Sequence, residues 1–216
     1  MNRNALVVGA GGLLIGVFAA AAVVYQDKQT AETVAVVKKE SGALVREGAQ
    51  RLGDPAARVT IVEFFDPACE TCAEFAPHLK GFVDQGAGRV QLIERYAPLH
   101  PGSDKMVAIL EASAAQGKYW ETLEIMFSTQ HTWANHQNPQ PELIWGLLEQ
   151  GGIDVARLKT DMENPAIAAL IAEDVKAAKA LGVTQTPEFF VNGKPLPTWG
   201  LRQLNDLVAS ELAAKY

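Results

Sequence analysis

The chain has little cysteine: Cys69 and Cys72 are the only two in 216 residues. Disulfide stapling of a small scaffold is therefore excluded, since such frameworks use several pairs. There is no run rich in Lys and Arg, and the formal net charge is -6, which argues against a nucleic-acid surface. A second C-x-x-C is missing, and His78, His100, His131 and His136 form no second H-x-x-x-H cluster, so a four-ligand zinc site lacks half its ligands. No internal repeat or low-complexity segment occurs.

What is present is a pair of thiols in one place, Cys69-Glu70-Thr71-Cys72. The apolar run Val59-Thr60-Ile61-Val62-Glu63-Phe64-Phe65 precedes it, and Phe75, Leu79, Phe82 and Val83 follow at helical spacing. A strand that hands a C-x-x-C to a helix N-terminus suits redox chemistry. Unpaired N–H groups and the helix dipole stabilise a thiolate there, and the pair can close and reopen a disulfide by exchange. A purely structural disulfide remains an alternative, although so short a loop would stabilise little.

The N-terminus reads as a targeting segment. Residues 1–4 are short and basic, and residues 5–25 carry no charge or strongly polar side chain. A length of about 20 such residues spans a bilayer as a helix, whereas a signal-peptide core runs to about 7–15. A retained signal anchor is favoured, with cleavage within the Ala19–Ala22 run as the alternative. Arg3 before the span weakly places the rest of the chain outside the cytoplasm, where disulfides form and persist.

Beyond it, residues 26–52 read as a polar stalk or docking helix, and Leu52-Gly53-Asp54-Pro55 as a turn. Arg58–Phe65 is the first strand, a helix follows the cysteines, and Val90–Tyr96 is a second strand in a right-handed βαβ unit. The middle is helical: 106–116, 119–127, 143–148, and 164–182 with an apolar stripe of Ile167, Leu170, Ile171, Val175, Ala178 and Leu181 expected in the core. A polar loop, 128–140, holds His131, Trp133 and His136, which could line a substrate surface. Asn192-Gly193 marks a hairpin after Glu188–Val191, and Leu201–Leu212 is a last helix. The order is β-α-β, a helical block, then β-β-α.

This order, with the C-x-x-C after the first strand, resembles the thioredoxin fold, and the helical block resembles its DsbA-like branch. The resemblance covers roughly residues 50–214. It rests on Val62-Glu63-Phe64-Phe65-Asp66 before Cys69, on Tyr96-Ala97-Pro98-Leu99-His100-Pro101, on Gly117-Lys118-Tyr119-Trp120, and on Leu181-Gly182-Val183-Thr184-Gln185-Thr186-Pro187 ahead of Phe189-Phe190-Val191-Asn192-Gly193. It implies an α/β thioredoxin fold, 53–102 and 183–216, with a helical insertion at 103–182. It also implies a bacterial membrane-anchored or periplasmic thiol:disulfide oxidoreductase that acts on unfolded or reduced exported proteins. A membrane redox partner would recycle it, and no metal or organic cofactor is implied.

By the same resemblance Cys69 is the nucleophile and Cys72 the buried resolving thiol. Pro187 follows a cis bond and faces the pair, and Thr186 holds substrate backbone. From the residues alone, a Thr-Pro bond at a strand start is equally consistent with trans. Glu63 matches a buried carboxyl beneath the cysteines; if buried, desolvation would raise its pKa and let it exchange a proton with Cys72. Many DsbA-like oxidases carry Pro-His between the cysteines, where this chain has Glu70-Thr71. Glu70 is expected to oppose the Cys69 thiolate and Glu188 to add negative charge to the groove, with simple exposure of both acids and little effect on the sulfur as the alternative. Disulfide formation is the first reading; isomerase, reductase and non-catalytic adaptor are the alternatives.

Overall fold

The computed structural model of the chain describes residues 41–134, 139–196 and 198–216, with Phe18, 20–25, Lys28 and Ala35 ahead of them. The expected span over 5–25 falls mainly outside the described residues, as does most of the 26–52 stalk. Residues 20–25 are helical and exposed. Among the described residues no helix is long and apolar enough to cross a membrane.

Five strands form one mixed sheet: β1 (Arg51–Gly53), β2 (Val59–Phe65), β3 (Val90–Tyr96), β4 (Glu188–Val191) and β5 (Lys194–Pro195), in the order β1-β3-β2-β4-β5. Only β2 and β3 run parallel, in the register Val59↔Val90 to Phe65↔Tyr96. The connection between them is α2 (Glu70–Gln85), the crossover helix that a parallel pair requires. Both strands are covered on both faces, which is why they read as near-continuous apolar runs. On one face Phe75, Leu79 and Val83 of α2 meet Val59, Ile61, Val90, Leu92 and Phe189, joined by Leu204 and Val208 of the terminal helix. On the other, Val62, Phe64, Ile93 and Phe190 meet Ala177, Ala178 and Leu181.

Strand β1 was not evident in the sequence, where 52–55 read as a turn. It is three residues long with one apolar side chain, and it pairs antiparallel with β3. Gly53 has φ 99°, and a Cβ there would lie 2.7 Å from the Val90 carbonyl oxygen, so the edge closes only on glycine. Ahead of β1, among the described residues, α1 (Ser41–Leu44) and the turn that follows bury Leu44 and Ala49 against the sheet.

The helical block comprises α3 (Ser103–Ala114), α4 (Tyr119–Ser128), the short α5 (Gln130–Trp133), α6 (Trp145–Gln150), α7 (Val155–Asp161) and α8 (Pro165–Ala180). Asn164 caps α8 by accepting from Ala166 N–H, with Pro165 in the first turn. The core surrounds Met106, Ile109, Met126, Trp133 and Ile144, and reaches Phe65, Cys69 and Cys72. Two expectations are corrected here. Trp133 is fully buried and its indole donates to Met126 O, so it is core rather than substrate surface. Val175 is 44% exposed, because α8 turns Asp174 inward instead.

Asp174, fully buried, accepts from Arg46 Nε (2.9 Å), Arg95 Nε (2.8 Å) and the Tyr96 amide (3.0 Å). Arg95 also donates to the Ala43 and Leu44 carbonyls that end α1. One carboxylate thus ties the N-terminal segment and the insertion to β3. Replacing it leaves two buried guanidiniums uncompensated, which costs about 3–5 kcal/mol. Asp174→Ala is expected to lower the urea midpoint by that amount of stability, and a change below about 1 kcal/mol would show that the network is dispensable.

Candidate active site

Strand β2 ends at Phe65, and the chain turns through Asp66, Pro67 and Ala68 before α2. Asp66 holds this turn. Its buried carboxylate accepts from the amides of Ala68 (2.8 Å), Leu99 (2.7 Å) and His100 (2.9 Å) and from the Ser103 hydroxyl, and lies 2.7 Å from His100 Nδ1. From the other side, Gln130 Nε2 donates to the carbonyls of Pro67 (2.8 Å) and Cys69 (3.0 Å). The turn is therefore fixed to the loop after β3 and to the insertion at once.

Cys69 lands at the N-cap of α2, and Cys72 one turn in. Neither is in a disulfide, and both are buried, at 5% and 1% exposure. Their acidities are driven apart. The Cys72 thiol donates towards Cys69, the Thr186 side chain helps, and the backbone N–H groups of Cys72 and Thr71 point at the same sulfur. Together they overcome burial and bring Cys69 down to about 6. Cys72 moves well above the ordinary thiol value, first through burial, then through its bond to Cys69 and the charge of Glu63. The expected rise from Glu70 is not found. Glu70 is exposed at the helix start, where water screens its charge, and it is not among the groups that set the Cys69 acidity. Thr71 acts through its backbone N–H.

The Thr186–Pro187 peptide is cis, and the Thr186 carbonyl lies 3.2 Å from Cys69 Sγ. Trp199, which sequence reasoning missed, donates from its indole to the Pro187 carbonyl (3.1 Å) and packs on Phe75 at 5.3 Å. Glu188 does not face the cysteines. Its cross-strand partner is Phe64, and directly opposed residues share a face, so it lies on the side of Phe64 and Phe190, away from α2. Burial there raises its pKa to about 7.

Glu63 lies on the cysteine side of β2, 3% exposed, and next to it in the parallel register is Glu94 of β3, equally buried. The register sets the two carboxyls side by side on one face, close enough for each to perturb the other's ionisation. Burial, and then the neighbouring Glu94, push Glu63 well up; burial pushes Glu94 to about 8. Glu94 was missed, although an acid inside Leu92-Ile93-Glu94-Arg95-Tyr96 carries the same signal as Glu63. A surface groove beside the pair is lined by Glu70, Glu74, Phe127, Gln130 and His131. His136 lies outside the described residues, and His78 is exposed on α2. Among the described residues no group of three or more His, Cys, Asp or Glu is placed to hold a metal.

A family model described as thioredoxin matches residues 46–205. The chain belongs to the thioredoxin family. Its fold is that of the DsbA-like members: the thiol-disulfide exchange protein alpha-DsbA2 of Wolbachia pipientis superposes with a TM-score of 0.70 at 20% identity, over 85% of this chain and 97% of that one. A thioredoxin-like oxidoreductase of Silicibacter pomeroyi gives 0.66 at 28% identity, over 78% and 94%. In sequence, a Na+/H+ antiporter NhaA of Herminiimonas arsenicoxydans is 30% identical over 144 residues, 67% of this chain but 22% of its own length. The chain spans about a fifth of the length of the antiporters it matches, so the transport named for them is not carried over.

Two outcomes are expected of this site. Cys69 alkylation should titrate with a midpoint near pH 6. Cys72→Ala should move that midpoint up towards the ordinary thiol value, and Glu70→Gln should leave it in place; a large downward move in Glu70→Gln would restore the opposing role expected of that acid. The buried acids set a pH dependence of stability. Both bind their protons more tightly folded than unfolded, so stability is fully present below about pH 4.3, the unfolded value, and is lost as pH rises through about 8. Glu63→Gln should raise Tm at pH 8, by roughly 2–4 °C per kcal/mol recovered, and leave it nearly unchanged at pH 4.

Proposed function

We propose that the chain is a thiol–disulfide oxidoreductase that forms disulfides in reduced proteins outside the cytoplasm, using Cys69 and Cys72. The observation that carries the reading is the placement of Cys69 at the N-cap of α2 with Cys72 buried one turn in, which drives the two thiol acidities in opposite directions. A sulfur favoured as thiolate stabilises the reduced pair, which makes the oxidised pair a good acceptor of electrons.

In the forward reaction a substrate thiolate attacks Cys69 Sγ of the oxidised pair. The Cys69–Cys72 bond breaks, and Cys72 leaves with the electron pair as a thiolate. The Glu63 carboxyl hands it a proton, since a buried acid of raised pKa is matched to that task near neutrality. A second substrate thiolate then attacks the substrate sulfur of the mixed disulfide, and Cys69 departs as a thiolate held by the α2 N–H groups. The substrate has lost two electrons and gained a disulfide, and the protein ends as the dithiol. Thr186 and Pro187 would hold the substrate backbone in strand-like pairing beside Cys69. A redox partner in the membrane would reoxidise the pair, and the apolar stretch 5–25 would anchor the chain to that membrane, or be removed to leave a soluble form.

Cys69→Ser is expected to abolish oxidation of a dithiol peptide, by at least about a hundredfold, with an unchanged thermal transition. Cys72→Ser should trap a mixed disulfide through Cys69, visible as a mass adduct. Loss of folding in Cys69→Ser, with no adduct in Cys72→Ser, would favour a structural disulfide in an adaptor.

A further inference from the structure

Burying one carboxyl under a dithiol has a chemical use, but burying a second beside it works against folding. Two adjacent carboxylates cannot both ionise, and an apolar residue at 94 would fill the same space without desolvating a charge. The position of the second acid is informative. A cleft of about 450 Å³ runs between α2 and α4, walled by Ala73, Ala76, Trp120, Leu123 and Phe127, and Glu94 forms part of its lining. Neither Glu63 nor Cys72 lines it. Glu63 is the direct neighbour of Glu94 in the β2–β3 register, on the same face, and among the described residues Glu63 Oε1 and Glu94 Oε2 are both buried without a hydrogen-bond partner. Cys72 adjoins Glu63, whose charge it feels. The groups therefore lie in the order Cys72, Glu63, Glu94, cleft.

We propose that Glu94 completes a proton relay from Cys72 through Glu63 to the cleft between α2 and α4, so that the buried thiol exchanges its proton with solvent while substrate covers Cys69. The proposal rests on the oxidoreductase reading above and deepens it. When Cys72 leaves as a thiolate it takes the proton of the Glu63 carboxyl. Glu63, now a carboxylate, takes the proton that Glu94 holds across their contact. Glu94 is refilled by water in the cleft. Reoxidation of the pair runs the same transfers outward, and no electrons move in any of them. Other ionisable groups near the path are Lys80 of α2 and Glu124 of α4, which line the cleft, Tyr119 of α4, and Cys69. The Tyr119 hydroxyl is engaged with Tyr96, which leaves Glu94 as the carboxyl that meets both Glu63 and the cleft.

The test measures multiple-turnover oxidation of a dithiol peptide by the full chain, with the thermal transition as the control for folding. Glu94→Gln is expected to slow turnover by roughly tenfold to a hundredfold. Added formate, small enough to enter the cleft, should restore much of the rate in Glu94→Gln and leave wild type and Glu63→Gln unchanged. Glu94→Asp should retain most activity. Ala76→Leu, which narrows the cleft without touching a carboxyl, should slow turnover several-fold with an unchanged Cys69 alkylation midpoint, and it tests the relay even if Glu94→Gln does not fold. Turnover in Glu94→Gln within twofold of wild type while Glu63→Gln is slow would overturn the relay alone. A slow Glu94→Gln that formate does not rescue would reduce Glu94 to packing and also overturn it. Full activity in Cys69→Ser would instead overturn the oxidoreductase reading beneath it.

Discussion

The parallel pairing of β2 with β3 is the constraint on which the rest of the molecule depends. Because the strands run the same way, the chain must cross over between them, and the crossover helix α2 begins where β2 ends. That geometry puts a helix N-terminus at the C-terminal end of the central strand, with Cys69 on it. The same register sets Glu63 beside Glu94 beneath the cysteines. Asp66, the first residue after β2, then binds the segment after β3 through two amides, Leu99 and His100, and two side chains, His100 and Ser103. A slip by one residue would reverse every one of these placements, since strand side chains alternate between faces.

The site is built from opposed electrostatic demands. Cys69 needs a stabilised negative charge and receives N–H groups and a thiol donor. Cys72, three residues on, is enclosed in apolar surroundings near an acid, where a thiolate is disfavoured. A pair divided in this way has one sulfur to be attacked and one that must be handed a proton when it leaves. The buried carboxyls belong to the second half of that division. They are tolerated because Asp174, Arg46 and Arg95 lock the far side of β3 and because the apolar packing around β2 and β3 is extensive.

Much of the fold was legible. The order β-α-β, helices, β-β-α followed from periodicity at 59–65, 90–96 and 201–212 and from Asn192-Gly193, which adopts left-handed φ at both residues. Strand β1 was not legible, because three residues with one apolar side chain give no alternation to read; it exists only as an edge against β3. Trp133 was misplaced because its flanking polar residues look like loop, although one buried donor bond to Met126 O makes an indole acceptable in the core. Within the site, the proximity of Cys69 and Cys72 follows from their spacing, whereas the strand alone left Glu63 facing either solvent or core and the family resemblance put it beneath the pair. Glu94 offered the same signal as Glu63, an acid inside an apolar strand, and only the register of β2 with β3 pairs the two; Gln130 reaches the site through the insertion, and nothing local in the sequence announces that long-range contact. Glu70 and Glu188 were misjudged for a shared reason. Nearness in the chain was taken for nearness to the sulfur, whereas the helix start turns one to water and the strand alternation turns the other to the opposite face.

The measurement that tests the central claim most directly is the reduction potential of the Cys69–Cys72 pair in the full chain, equilibrated against glutathione. A split between a stabilised Cys69 thiolate and a disfavoured Cys72 thiolate makes the pair more oxidising than the roughly -270 mV of thioredoxin, with about -120 mV as the DsbA limit. A value between those two is predicted. One below about -300 mV, the range of structural disulfides, would contradict the account.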